Sequence, residues 1–393
     1  MDRARDRAGA PAVISWSVPL FSRTILEASV NDVNESAHRA PPPGDWPAED
    51  LEDLGRCPAC GAAERSLLYD NLRDKIFFSA PGVWKMWRCG GCGAGYLDPR
   101  PTVESIGRAY AHYYTHGDWQ AGSKLLPGPG RSPVKQIWHA LRNDYLNASY
   151  GYRFRPRIPG GRWVMQGFPV TRRWIDNRIR HLPAPKPGRD RLLDAGCGSG
   201  YFVWAAQQLG YRVEGLEIDP KACAQARSHG LTVHQGSFPD TGLESGSFDE
   251  ITLSHVLEHL HDPVGALTEA FRILRPGGRL WIVVPNLEGA SNRVWKENSR
   301  LLEPPRHLLM FDVNSLKHLF LECGFKKVQQ LAIPNINRFI YTQSHAITMS
   351  CDPESAQWQD LPESLKRQAV QEEKLYSGIT MYSDAVTFEG FKP

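Results

Sequence analysis

The chain has 393 residues, enough for two or three domains and a sizeable core. Its composition is globular, with 41% hydrophobic and 23% charged residues, and a formal net charge of +3 is too small to make nucleic acid the main partner. No apolar run approaches the roughly 18 residues that cross a bilayer, and four of the eight cysteines form two C-x-x-C pairs, a metal spacing rather than a disulfide framework, so a cytoplasmic compartment is expected.

Residues 1–50 show no sustained hydrophobic period and end in "APPPGDWPAED", which predicts a disordered arm. The arginines at 3, 5 and 7 precede an apolar stretch broken by prolines, so no signal peptide is expected. Order is expected to begin with "RCPACG", and a zinc-ribbon module over 51–116 follows from Cys57-Pro-Ala-Cys60 and Cys89-Gly-Gly-Cys92. Each pair is followed by glycine, and together they offer four thiolates. Such a set closes the coordination sphere, so its role is structural; zinc fits best and iron is the alternative. Cys197, Cys223, Cys323 and Cys351 are dispersed and read as ordinary small residues.

Residues 117–180 mix Gly, Pro and aromatics, with one helix expected over 134–146, and read as a helical or aromatic linker or lid. From Arg153 to Arg191 eleven Lys and Arg residues face only Asp176 and Asp190. This run fits a solvated linker and helix face, or a surface for a phosphorylated or membrane-associated substrate.

From about 181 to 335 the pattern becomes regular. "RLLDAG" is a strand, "YFVWAAQQLG" a helix, "YRVEGLEI" a strand, "PKACAQARSHG" a helix and "LTVHQG" a strand. "EITLSHV" continues as a strand, "DPVGALTEAFRILRPGG" as a helix closed by Gly277, "RLWIVVPN" as a strand, "NSLKHLFLECGF" as a helix and "KKVQQLAI" as a strand. This alternation predicts an α/β fold with a Rossmann-like, doubly wound, mostly parallel sheet. Residues 336–393 read as a C-terminal extension with a polar helix around Glu363 to Tyr376 and a final strand, "DAVTF", whose partner the pattern does not assign.

The first of these strands runs into Asp194-Ala-Gly196-Cys197-Gly198-Ser199-Gly200. A dinucleotide fingerprint needs a third glycine at 201, where Tyr201 stands; the spacing here is D-x-G-x-G-x-G. Glycines at every second position let the backbone turn tightly and approach a ligand. Glu217, ending the second strand, can accept the two hydroxyls of a ribose. The arrangement suits an adenosine-containing ligand without phosphate.

With these residues, "LLDAGCGSGYF" and "VEGLEIDP" resemble the S-adenosylmethionine (SAM) site of class I methyltransferases, and the resemblance extends through "SFDEITLSHVLEHLHDP", "RILRPGG", "VVPN" and "LEPPRHLLMF" over about 191–333. It implies that Asp194, Gly196, Cys197, Gly198 and Gly200 surround the methionine and ribose portions, that Glu217 with Ile218 takes the ribose, that Gly236, Ser237 and Phe238 border adenine, and that Ser254 reaches the cofactor. Many relatives have an acidic residue where Ser237 stands. Taken with "CPACG", "RCGGCGAGYLDPRP" and "YAHYY", the chain resembles bacterial methyltransferases with an N-terminal zinc ribbon, many of them encoded with polysaccharide or secondary-metabolite pathways. That resemblance makes Tyr110, Tyr113 and Tyr114 part of a lid over the acceptor, or else packing for the ribbon.

"HVLEH", His255 to His259, also reads as H-x-x-E-H, a zinc-protease motif if both histidines share a helix face. In the resembling enzymes this stretch borders the methyl donor and implies no metal, and Glu258 with His259 is expected to form a pair satisfied within a helix. The expected activity is methyl transfer from SAM to oxygen or carbon of a small-molecule or saccharide acceptor. A base is then needed, and a histidine tuned near neutrality suits it: His307 first, His255 second, with Glu258 beside them. A nucleotide-sugar C-methyltransferase and a non-catalytic SAM- and zinc-binding scaffold are the alternatives.

Overall fold

The computed structural model describes residues 41–111, 126, 128, 130 and 132–393; residues 1–40 of the arm expected over 1–50, and Tyr113 and Tyr114, lie outside the described residues. Order begins earlier than the first cysteine, because Trp46 is buried and meets the Trp84 ring edge to face at 5.6 Å. Strands β1 (Leu51–Glu52), β2 (Arg65–Leu72), β3 (Trp84–Cys89), β4 (Gly95–Leu97) and β5 (Arg100–Pro101) build the N-terminal part. β1 pairs with β5, while β2, β3 and β4 form an antiparallel meander.

Helices α1 (Pro133–Tyr150), α2 (Gly161–Gln166) and α3 (Pro169–Arg178) follow. Of the residues expected to form a linker or lid, the described Leu146, Met165 and Ile179 share one buried cluster with Val203 and Ala206.

Strands β6 (Arg191–Ala195), β7 (Arg212–Glu217), β8 (Val233–Gln235) and β9 (Phe248–Ser254) alternate with α4 (Tyr201–Gln208) and α5 (Pro220–Ser228), then come α6 (Pro263–Ile273) and β10 (Leu274–Pro285). Helix starts follow capping chemistry. Asp219 accepts from the Lys221 amide at 2.8 Å ahead of α5, and Asp262 accepts from Gly265 at 2.7 Å ahead of α6. Each is followed by proline at the first helical turn, where a missing N–H costs nothing. The helix expected to stop just before Gly277 ends at Ile273. "LRPGG" instead opens β10, since Leu274 pairs with Phe248 before the register shifts and Arg279 pairs with Glu250.

The chain continues through α7 (Ala290–Trp295), β11 (Leu309–Met310), α8 (Val313–Glu322), β12 (Lys326–Gln330), α9 (Asn337–Thr348), α10 (Glu363–Leu375) and β13 (Ala385–Phe391). Seven strands form one sheet in the order β12-β13-β10-β9-β6-β7-β8. β13, the strand without an assigned partner, lies antiparallel between β10 and β12, so the sheet includes a strand from beyond residue 335. The strand order reverses between β6 and β9, and the carboxyl ends of such strands form the crevice where ligands bind in open α/β sheets.

β11 does not join that sheet. It pairs with β4, extending the cysteine-bearing meander with a strand from the other end of the chain. The N-terminal part and the α/β part are therefore joined by backbone hydrogen bonds as well as packing. Among the described residues, no helix is long and apolar enough to cross a membrane.

Candidate functional site

The glycine loop leaves β6 and turns over the end of β7. Its position is fixed by backbone bonds from Gly196 and Cys197 to the Leu216 carbonyl, at 2.7 and 3.2 Å. Glu217 Oε2 accepts from the Gly198 amide at 2.8 Å and Oε1 from Asp219 at 2.9 Å, so the carboxylate is buried and aimed before any ligand arrives. A carboxylate offers about four lone-pair sites, so two remain for a diol. Ile218 beside it is 68% exposed, an apolar surface next to the carboxylate that suits the face of a base.

Gly196 and Gly200 both have positive φ, and neither position has room for a side chain. A Cβ on Gly196 would sit 2.3 Å from Cγ2 of Val256, and one on Gly200 2.5 Å from Cδ1 of Leu231. The Gly196 contact ties the loop to "HVLEH", where Val256 resides. These residues fit the adenosine and methionine portions of SAM: a cradle without side chains, a preset carboxylate and an apolar neighbour.

Other expected contacts are placed differently. Asp194 is buried beneath the loop, ion-paired to Arg180 and accepting from Thr252 Oγ1 at 2.9 Å; burial raises its pKa despite Arg180. Cys197 is buried too, and its Sγ lies where a Cβ on Gly215 would have to go, so its thiol packs inward; burial, with nearby acidic groups, pushes its pKa up. Phe238 belongs to the main core, whereas Ser237 and Ser254 are part-exposed. Gly236 donates to the Glu217 carbonyl at 2.9 Å, which brings the end of β8 against the end of β7.

"HVLEH" is no α-helix. Leu257–His259 forms a single 3₁₀ turn, and His255 sits at φ +55° with its amide bonded to the Val283 carbonyl at 2.9 Å. The two histidines therefore do not share a helix face, which removes the protease geometry. His255 is half-exposed, with Nδ1 3.3 Å from Oε1 of the fully buried Glu258. The pKa of Glu258 is lowered: burial works against this, but the histidines around it outweigh burial. His259 is not satisfied within a helix as expected. Its Nδ1 lies 3.0 Å from the Arg306 carbonyl and 3.0 Å from the Tyr110 hydroxyl.

His307, the first candidate for a base, is buried, with Nδ1 2.7 Å from the Leu301 carbonyl. Burial lowers its pKa to about 4 against the pull of Glu303 and Glu258, so it is not tuned near neutrality. Its ring lies 4.8 Å from that of His259. Arg180 and Arg306, both central here, escaped the sequence reading because a lone arginine in a basic or proline-rich stretch carries no spacing signal.

The four ribbon cysteines do converge. The Cys57 and Cys92 sulfurs are 3.7 Å apart, those of Cys60 and Cys89 3.4 Å, and all four lie within 4.8 Å of one another. Tetrahedral coordination at about 2.3 Å places sulfurs about 3.8 Å apart, so the cluster is compatible with a zinc ribbon. The two knuckles repeat one geometry. Cys57 and Cys89 donate to the Ala62 and Ala94 carbonyls and accept from Gly61 and Gly93.

A family of sequences described as "Methyltransferase domain" matches residues 168–330, less than half of the chain. The chain therefore carries a class I, SAM-dependent methyltransferase domain on the sheet whose crevice holds the glycine loop. A relative named "Ubiquinone biosynthesis O-methyltransferase" from Xanthomonas oryzae pv. oryzae is 35% identical over 108 residues, 26% of this chain and 45% of that protein. A "Probable S-adenosylmethionine-dependent methyltransferase" from Mycolicibacterium smegmatis is 36% identical over 114 residues, 28% of this chain and 43% of that protein. The chain thus spans less than half the length of these relatives. Among solved structures, a SAM-dependent methyltransferase from Thermotoga maritima is similar at 19% identity and a TM-score of 0.38, over 65% of this chain and 100% of that one.

Proposed function

We propose that the whole protein is a SAM-dependent methyltransferase that acts on a hydroxyl of a small-molecule or saccharide acceptor, with zinc held structurally by Cys57, Cys60, Cys89 and Cys92. The observation that carries the reading is the Glu217 carboxylate, pinned by Gly198 and Asp219 with two acceptor sites left for a ribose. The name of the Xanthomonas relative supports oxygen as the atom methylated, over the domain that the two proteins share.

When bound, SAM supplies a sulfonium that makes its methyl group electrophilic. The chain must then align the acceptor and take its proton; alignment alone can supply about 7 to 11 kcal/mol. His255 is the base in this reading, because it is half-exposed at the cofactor edge and oriented by Glu258. With Nδ1 donating to the carboxylate, Nε2 is free to accept the acceptor's proton. With SAM held by the glycine loop and Glu217, its methyl would pass to the acceptor oxygen as the C–S bond gives its electron pair to sulfur, and the proton would go to His255 Nε2. His307, buried and with its pKa lowered to about 4, is not the base in this reading.

The test is transfer of labelled methyl from SAM to a panel of hydroxyl-bearing acceptors by wild type and His255→Ala. Turnover should fall by about 100-fold or more in the variant with SAM affinity kept. A loss below about tenfold would remove His255 from this role.

A further inference from the structure

Three side chains meet in the interior behind His255: Glu258, His259 and His307. One donor atom from each lies within 4.8 Å of the other two. The tautomer of each ring is set by its neighbours. A carbonyl oxygen only accepts, so the 3.0 Å contact of His259 Nδ1 with the Arg306 carbonyl and the 2.7 Å contact of His307 Nδ1 with the Leu301 carbonyl both put the proton on Nδ1, and the Tyr110 hydroxyl, also 3.0 Å from His259 Nδ1, accepts from the same N–H. Each Nε2 then carries a lone pair.

The carboxylate completes the set. Glu258 is fully buried, its Oε1 faces His255, and its Oε2 has no hydrogen-bond partner. A bare carboxylate oxygen in the interior is costly unless something positive meets it. Two imidazoles whose backbone partners fix Nδ1–H and a carboxylate fixed through its other oxygen are the outer-sphere arrangement that metal sites use to aim their ligands.

We propose that Glu258, His259 and His307 bind one divalent first-row transition cation, separate from the four-cysteine cluster. Two nitrogens and one oxygen leave at least one coordination position open, and the set suits Mn²⁺, Fe²⁺, Co²⁺ or Zn²⁺ rather than the alkaline-earth ions, which prefer oxygen. The inference rests on the methyl-transfer reading for its role: the open position takes the acceptor's oxygen and makes its hydroxyl more acidic for His255. It narrows the acceptor class to molecules whose hydroxyl oxygen can bind a metal. The ligands are not those of H-x-x-E-H, since His255 stays outside and His307 arrives from the next connection.

The experiment titrates Co²⁺ into full-length protein already carrying one equivalent of zinc, which the thiolates take in preference. Visible d–d absorption reports nitrogen and oxygen ligation, while thiolate-to-cobalt charge transfer reports the cysteine cluster. The expected result is one equivalent of Co²⁺ bound without charge transfer, weakened at least tenfold in both Glu258→Gln and His259→Ala. Glu258→Gln keeps the side-chain volume, and unchanged S-adenosylhomocysteine binding verifies that each variant is folded. Absence of Co²⁺ binding, charge transfer alone, or equal affinity in folded variants overturns the proposal. Should Co²⁺ fail to bind while labelled methyl is still transferred, the cation falls and the methyltransferase stands; Co²⁺ binding without S-adenosylhomocysteine binding gives the reverse.

Discussion

Arg306 and Asp74 form a fully buried two-pronged ion pair, with Nη2 2.9 Å from Oδ1 and Nη1 3.1 Å from Oδ2. Asp74 also accepts from the Ser79 and Ala80 amides at 2.9 and 3.1 Å, and Arg306 reaches the Ala109 carbonyl at 2.9 Å and lies over the Phe77 ring. The arginine of "PPRH" thus pins the connection carrying His307 to the turn between β2 and β3 of the cysteine-bearing part. Removing one partner leaves an uncompensated buried charge, which costs about 3–5 kcal/mol. Arg306→Ala is expected to lower stability by that amount in urea unfolding, and Arg306→Lys to recover only part of it because a lysine cannot bridge both oxygens. A loss below about 1 kcal/mol in Arg306→Ala would show that the pair does not hold the two parts together.

The four thiolates should matter to the whole chain. β4 follows the second knuckle and pairs with β11, so loosening the four-cysteine cluster loosens the backbone leading to His307. Cys60→Ser, or removal of metal by a strong chelator, is predicted to lower stability by more than ~3 kcal/mol and to weaken S-adenosylhomocysteine binding in the same transition. Scanning calorimetry checks this: one shifted transition is expected, and an unmoved transition of the α/β part would contradict it.

Gly196→Ala combines a left-handed backbone with a Cβ 2.3 Å from Val256. The strain alone is about 1–3 kcal/mol. Binding of S-adenosylhomocysteine should drop at least tenfold, and Val256→Ala in the same chain should restore part of it by clearing the contact. Failure of the double variant to improve on the single one would place the whole effect in the backbone.

His181 gives an acid-side signature. Burial, reinforced by Arg279, lowers its pKa from 6.5 to about 3. The unfolded chain takes up a proton below pH 6.5 that the fold refuses. The stability from its neutral form is therefore complete above pH 6.5 and is lost as pH falls toward 3, at up to ~1.4 kcal/mol per pH unit. His181→Asn should flatten that slope by about one proton in denaturation midpoints measured from pH 6.5 to 4. An identical slope in the variant would assign the acid sensitivity to other groups.

Much of the sheet was legible because β6 to β10 and their helices alternate, with Asp-Pro pairs opening α5 and α6 in the sequence itself. β13 was recognisable as a strand but not placeable, since its neighbours β10 and β12 lie far back along the chain and only tertiary contacts choose them. The glycine loop and Glu217 were readable because their spacing carries the chemistry. The helix assigned to "HVLEH" failed for a local reason: the His255 amide bonds to Val283 on β10, which pulls the chain out of helical geometry at its first residue. The placing of His307 as a base failed for a tertiary one, because a loop histidine gives no sign in sequence that Leu301 and Glu303 will enclose it. Arg180 was read as one charge in a basic run, whereas its partner Asp194 lies beneath the loop.

The central claim is that Glu217 holds the ribose of the methyl donor, and titration calorimetry with S-adenosylhomocysteine tests it most directly. A charge-assisted hydrogen bond is worth roughly 1.5 to 3 kcal/mol, so Glu217→Ala is predicted to bind about 10- to 100-fold more weakly than wild type. Absence of binding to folded, zinc-loaded wild type, or equal binding by the variant, would contradict the account.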